Sequence, residues 1–286
     1  YKDNTGENVL AVGTRQKVYV LYKNVWDDIT PTGFVNDASD DPLGFGAYHY
    51  GKEDYGDARS QSGLVLQAGY FSFDNWGEDL VFTFSKDGKI YKWQPNSGGT
   101  ADTIATVVTN APTGNLSTLV TNERHLVAIG SSDDPRKVAW SNREDRNNWT
   151  SKATNTAGDL QIPTGGRALF GVKYRSDVII FSDTGINRMF YSGSPFVYGI
   201  ADAGTNCKSI SQRSVVSTGN FLAWMGEVRV GVDTTLTLMR YGGDSQAVTH
   251  NTLLTNMLYG TTIAMFGLSA LWTEVLGLTK VHLLIR

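Results

Sequence analysis

Apolar residues along this chain fall into short runs separated by clusters of Gly, Asp, Asn, Ser and Pro, the pattern of strands joined by tight turns. The clearest unit is NERHLVAIGSSDDPRKVAWSNREDRNNWT, residues 122–150. An apolar run at 125–129 meets the turn Gly130-Ser131-Ser132-Asp133-Asp134-Pro135, and a second strand-like run at 136–140 leaves it. The turn has a chemical basis: Gly tolerates positive φ, Asp and Ser side chains bond their own backbone, and Pro135 fixes φ.

Weaker copies follow the same plan. Runs at 9–12 and 17–22 flank a turn at 13–16, with a second turn at Lys23-Asn24; the residue before Pro31 is pushed toward extended geometry and ends that unit. Runs at 80–84 and 89–93 flank Ser85-Lys86-Asp87-Gly88, where Asp-Gly is a strong hairpin signal. Runs at 177–181 and 186–191 flank Ser182-Asp183-Thr184-Gly185, and runs at 214–217 and 221–225 meet at Gly219-Asn220. Further strands are predicted at 63–73, 103–108, 116–121, 159–162 and 167–174, with turns at 74–79 and 193–199.

Indexed at Leu10, Leu80, Leu126, Val178 and Leu222, the inner runs are separated by 70, 46, 52 and 44 residues. With an insertion inside the first gap, the period fits the roughly 40–50 residues of a propeller blade. A four-stranded blade cannot bury both faces alone, so blades stack radially and cover one another. The expected fold is therefore all-β, a β-propeller of about five or six blades over residues 1–230. A β-sandwich would explain the alternation but not the spaced repetition.

The Gly-, Asp- and Tyr-rich stretch 32–62 has no sustained period and reads as a long inserted loop, with Phe45, Tyr48, Tyr50 and Tyr55 as a candidate partner-contact surface. Trp76, Trp93, Trp140, Trp149 and Trp224 sit at recurrent strand edges and are assigned to blade packing. From 231 to 286 the character changes: beyond residue 252 only Glu274, Lys280 and Arg286 carry full charge. The stretch 257–278 has the length of a membrane span but contains Thr, Gly, Ser and Glu274, so it reads as propeller closure or a C-terminal packing segment.

Composition narrows the function classes. At 286 residues, 41% hydrophobic and 19% charged, the chain is long and apolar enough for one large all-β domain or two smaller ones. The net charge of -3 without a basic stripe disfavours sequence-specific nucleic-acid binding, although a lumen that only lets DNA pass need not grip it. A lone Cys207 excludes an internal disulfide framework and reads as a buried thiol. The opening YKDNTGEN has neither an initiator Met nor a leader and reads as a start inside a longer polypeptide.

Catalytic and metal chemistry find no signature. His49, His125, His250 and His282 are scattered without ligand spacing, and no G-x-S-x-G elbow or Walker-type loop occurs. Asp40-Asp41, Asp133-Asp134 and Glu144-Asp145 supply the carboxylate pairs a glycosidase needs, but each lies in a turn or polar loop where acids serve local hydrogen bonding. No catalytic residue, cofactor or metal is assigned.

One ordered set of motifs goes further. Asp74-Asn75-Trp76-Gly77-Glu78-Asp79-Leu80, Asn110-Ala111-Pro112-Thr113-Gly114, Glu123-Arg124-His125-Leu126-Val127-Ala128, Trp140-Ser141 with Glu144-Asp145 and Trp149, Gly193-Ser194-Pro195-Phe196-Val197-Tyr198-Gly199 and Ala223-Trp224-Met225-Gly226 together resemble the virion structural proteins of short-tailed bacteriophages, over about residues 7–227. They are similar to the tail tubular or nozzle proteins. The resemblance implies a non-enzymatic β-propeller in the phage tail, partnered with other tail or connector proteins and with copies of itself in a ring. That ring would be a conduit through which genomic DNA passes without sequence-specific binding. Two alternatives stay open: a carbohydrate-binding propeller recognising a host-surface glycan or receptor, and a sialidase-like glycoside hydrolase. For the latter, the turns at 85–88 and 182–185 resemble aspartate-box turns, with a following Trp (Trp93) in the first copy alone.

Overall fold

The structure, a computed structural model, describes residues 1–36, 69–230, 233–242 and 248–251. These residues fold almost entirely as antiparallel β-sheet. The first sheet has three strands, β1 (Val9–Gly13), β2 (Val18–Tyr22) and β3 (Val25–Asp28). The second is β4 (Phe71–Trp76), β5 (Asp79–Phe84), β6 (Ile90–Trp93) and β7 (Thr106–Val107). The third is β8 (Ser117–Val120), β9 (Leu126–Ile129), β10 (Lys137–Trp140) and β11 (Gly158–Gln161). The fourth is β12 (Ala168–Tyr174), β13 (Asp177–Ser182), β14 (Gly185–Gly193) and β15 (Val197–Thr205). The fifth is β16 (Val215–Ser217), β17 (Phe221–Val230), β18 (Asp233–Gly242) and β19 (Val248–Asn251). Every sheet is an up-and-down meander in chain order. The chain divides into two compact units, Tyr1–Asp202 and Ala203–Arg286.

Local chemistry sets the turns. Lys23 and Asn24 both take positive φ (49° and 62°) and Tyr22 pairs with Val25, a two-residue hairpin of the primed type that fits strand twist. That hairpin makes β3, which the apolar pattern did not predict. At Asp87-Gly88 both amides donate to Phe84 O, and Gly88 at φ +71° lies so close to Gly114 that a Cβ would come within 2.5 Å of its Cα. The predicted turn at 74–79 is shorter than expected: β4 runs through Trp76, and only Gly77 and Glu78 bridge to Asp79. The predicted turn at 193–199 likewise ends early, because β15 begins at Val197.

In the first unit the sheets pack face to face in chain order. Val9, Val18, Val20, Tyr22 and Ile29 of the first sheet and its continuation meet Phe71, Leu80, Phe82, Phe84, Tyr91 and Trp93 of the second. Phe71 and Phe84 stack at 4.5 Å, and Tyr22 meets Trp93 edge-on at 5.9 Å. The other face of the second sheet, with Trp76, Val81 and Ile90, meets Val120, Leu126 and Ala128 of the third. The third sheet's opposite face, with Leu119, Val127, Ile129, Val138 and Trp140, meets Val178, Ile180 and Met189 of the fourth. A fully buried aliphatic or aromatic side chain contributes about 1.5–3 kcal/mol, so these three interfaces dominate the fold's stability.

The first strands of successive four-stranded sheets lie side by side, β4 beside β8 and β8 beside β12. Buried Ser72 and Ser117 hydroxyls join β4 to β8 at 2.8 Å. Asp74 Oδ2 accepts from the Val120 amide at 2.8 Å and from Lys173 Nζ at 2.7 Å, so one carboxylate ties three inner strands.

In the second unit the Trp224 indole donates to Cys207 O at 3.1 Å, and both side chains are buried. The pairing of β17 with β18 runs from Phe221 opposite Gly242 to Val230 opposite Asp233, continuing strand structure past residue 230. Among the described residues no helix is long and apolar enough to cross a membrane. The stretch 257–278 lies outside them.

Candidate functional site

The five tryptophans do not converge on a site. Trp76, Trp93, Trp140 and Trp224 are buried in the second, third and fifth sheets, and Trp149 is partly buried against the cluster that holds Trp76. Two of them repeat one device. Trp93 ends β6 and its Nε1 donates to Asp102 O at 2.7 Å; Trp140 ends β10 and donates to Thr156 O at 2.8 Å. In each case the indole fastens the connection that leads to the sheet's outermost strand. Phe45, Tyr48, Tyr50 and Tyr55 lie outside the described residues. The start of the predicted insertion is described, and it packs inward: Phe34 lies 5.5 Å from the Phe84 ring and 6.1 Å from Phe71.

At one end of the sheets, the β8–β9 and β12–β13 turns gather a polar network. Tyr198 OH donates to Glu123 at 3.1 Å and meets Thr121 Oγ1 at 2.8 Å. Buried His125 donates from Nδ1 to Ser141 O at 2.8 Å and meets the Tyr198 ring edge-on. Burial, the dominant effect, holds the His125 imidazole below its usual pKa and pushes the Tyr198 phenol up. Arg124 pairs with Glu144 at 3.2 Å and lies over the Trp76 ring at 4.9 Å. Asp177 receives Arg188 Nε at 2.6 Å.

At the other end, where links between sheets enter, a hollow of about 560 Å³ opens between the third and fourth sheets. Gly114, Gly130, Ser131, Ser132, Pro135, Gly166, Arg167 and Asp183 line it. Asp183 Oδ1 accepts from the amides of Gly166 at 2.8 Å and Arg167 at 3.3 Å, fixing the link that enters β12. Ser131 donates to Asp133, and Ser132 bonds Thr113 O through both its amide (3.0 Å) and its hydroxyl (3.2 Å). Ser131, then Lys137, pulls the Asp133 carboxyl down to about 2. The wall is thus a set of small residues and mutually bonded loops, with one guanidinium and one carboxylate at the rim.

The two turns that resemble aspartate boxes differ in use. Asp183 reaches across to a neighbouring link, whereas Asp87 accepts from Tyr91 OH and pairs with Lys89 at 3.4 Å. Of the carboxylate pairs, Asp133-Asp134 and Glu144-Asp145 bond their own loops or nearby side chains, and Asp40-Asp41 lies outside the described residues. Among the described residues no three His, Cys, Asp or Glu side chains are grouped to hold a metal ion. The hollow itself was not legible in the sequence, because the turn at 130–135 of the third sheet meets Arg167 and Asp183 of the fourth only through the stacking of two sheets. The turns at 130–135 and 182–185 were its visible traces.

No protein-family profile matches the chain, and no curated protein sequence matches it. Among solved structures it is similar to the tricorn protease (11% identity, TM-score 0.42, covering 85% of this chain and 20% of that one). It is also similar to the extracellular domain of a hybrid two component system from B. thetaiotaomicron (12%, 0.42, 87% and 32%). A third is a fungal alcohol oxidase of the AA5 family in complex with copper (17%, 0.42, 87% and 51%). The chain spans between a fifth and about half of the length of these structures, and likeness at this level carries no argument about activity.

Proposed function

We propose that the sheets are blades of a β-propeller, five or six in number, and that the protein is a non-enzymatic structural component of a bacteriophage tail of the tubular or nozzle kind. The observation that carries the reading is the side-by-side run of β4, β8 and β12, tied together through Asp74, with sheets stacked outward from it. Such stacking makes a stiff wall, because each interior sheet is clamped on both faces. The ordered motifs between residues 7 and 227 support the tail assignment.

In this reading copies of the chain form a ring with other tail or connector proteins in the virion, and ejected DNA passes through the ring. The net charge of -3 suits a conduit, since a wall without clustered cations does not hold phosphates by counterion release. Light scattering on the purified chain tests the assembly: one defined mass at an integer multiple of 31.3 kDa is expected. A strict monomer across a wide concentration range overturns the ring. A glycan array run beside it separates the carbohydrate-binding alternative, which predicts a retained monomer.

A further inference from the structure

At the end of the sheets that carries the polar network, Tyr198 reaches from β15, the edge strand of the fourth sheet, onto the third. A chain of hydrogen bonds fixes it. The His125 amide donates to Thr121 Oγ1 at 3.2 Å, and Tyr198 OH, whose own proton goes to Glu123, accepts from the Thr121 hydroxyl at 2.8 Å. The Tyr198 ring stands edge-on to Trp140 at 5.2 Å and to His125 at 5.3 Å. The backbone that delivers it is strained. Val197 takes φ +57°, a region that β-branched residues avoid, and the Tyr198 amide donates to Phe196 O across a three-residue turn at 2.7 Å. Residues 194–196 are exposed, so the anchorage of this turn rests on Val197 and Tyr198.

Against Tyr198 lies a nearly sealed imidazole. His125 is 1% exposed, and because a carbonyl only accepts, its Nδ1 carries the proton given to Ser141 O. Among the described residues no hydrogen bond engages Nε2, the nitrogen that takes a second proton. The charged groups acting on the ring are Glu123 on its own turn and Arg143 and Glu144 on the connection after β10, while β15 presents the Tyr198 phenol. Both carboxylates favour the imidazolium, Arg143 opposes it, and burial outweighs the carboxylates. Each carboxylate is also engaged elsewhere, Glu123 by Tyr198 and Glu144 by Arg124.

We propose that His125 is an acid-sensitive pin beneath the Tyr198 clasp: protonation of its imidazole releases Tyr198 and the turn at 193–198 from the third sheet while both sheets stay folded. Ser141 O accepts from Nδ1 in either charge state, so the loop on that side keeps its bond and the Tyr198 side gives way. Release also relaxes the backbone at Val197, which favours the open arrangement. While the clasp is closed the imidazole is neutral; once released it regains water and the ordinary histidine value of about 6.5. The released fraction therefore grows as pH falls below that value, by at most about tenfold per pH unit.

This inference concerns contacts within one chain and is independent of the tail reading. Hydroxyl-radical footprinting of the full chain, read residue by residue by mass spectrometry at about pH 7.5 and about pH 5, tests it. Tyr198 labelling should rise about threefold or more on acidification, while Phe181, fully buried in the same sheet, stays unchanged. In His125→Gln, whose side-chain amide can still donate to Ser141 O, Tyr198 labelling should be the same at both pH values. Tyr198→Phe removes the bonds to Thr121 and Glu123, so labelling of Trp140, 3% exposed behind the clasp, should already be raised at the higher pH. A wild-type chain without the rise, an equal rise in His125→Gln, or Phe181 rising in step with Tyr198 overturns the proposal. So does Tyr198→Phe with Trp140 unchanged.

Discussion

The second sheet and the first are built from similar strands and share one interface, yet their hydrophobic patterns differ. In β5, DLVFTF, every residue after Asp79 is buried, since Leu80, Phe82 and Phe84 face the first sheet while Val81 packs toward the third. In β1 and β2, burial alternates: Val9, Val18, Val20 and Tyr22 are buried, while Leu10 and Val12 stand exposed and Tyr19 and Leu21 are half-buried. A continuous apolar run thus reports a strand covered on two faces, and alternation reports one covered on a single face. Trp26 on β3, 54% exposed and opposite Leu21, extends the same open face.

The sharpest way to break this comparison is to truncate one residue from each kind of strand. Phe82→Ala should lower unfolding free energy by about 3–5 kcal/mol, while Leu10→Ala should change it by less than about 0.5 kcal/mol, both read from urea midpoints. Equal losses would mean that the first sheet's outer face is covered in solution.

Backbone crowding gives the next effect. Gly88→Ala combines φ +71° with a Cβ 2.5 Å from Gly114 Cα, and should cost about 2–4 kcal/mol. Gly6→Ala, at φ +87° in open space, should cost only about 1 kcal/mol.

Acidity separates interior from edge. Burial lowers the His125 pKa, so below the ordinary histidine value of about 6.5 the unfolded chain binds more protons than the folded one. Stability should therefore fall as pH drops through that value toward the lower folded pKa, and His125→Gln should flatten this part of the urea-midpoint profile. The smallest effect belongs to the open sheet. Lys17, then Thr30, holds the Asp28 carboxyl at about 2, so its contribution is present above the unfolded value of 3.8 and lost as pH falls toward about 2. With both side chains substantially exposed, Lys17→Met should move the acid limb only slightly.

Legibility in the sequence followed the same divide. Strands β5, β9 and β13 were predicted within a residue or two, because a strand between two sheets must be apolar and its turns need Gly, Asp or Pro. Strand β3, whose four residues are all exposed, was missed; so was β15, where small and polar residues follow Val197 and Tyr198. Outer strands are held by ladder hydrogen bonds, and backbone bonding leaves no side-chain period to read. Strand β19 lies in the stretch that had been set apart as a closing segment, and its pairing with β18 depends on a partner rather than on its own composition.

By itself, then, the sequence determined the all-β class, the recurrent hairpins and the spacing of the inner runs, because burial and turn stereochemistry act on neighbours in the chain. Only the tertiary structure decided the rest. Asp74 on β4 meets Lys173 on β12 across 99 positions, and the turn at 130–135 of the third sheet shares one hollow with Arg167 and Asp183 of the fourth because two sheets stack there. Such encounters depend on where whole sheets sit, which no local pattern of hydrophobic and polar residues encodes.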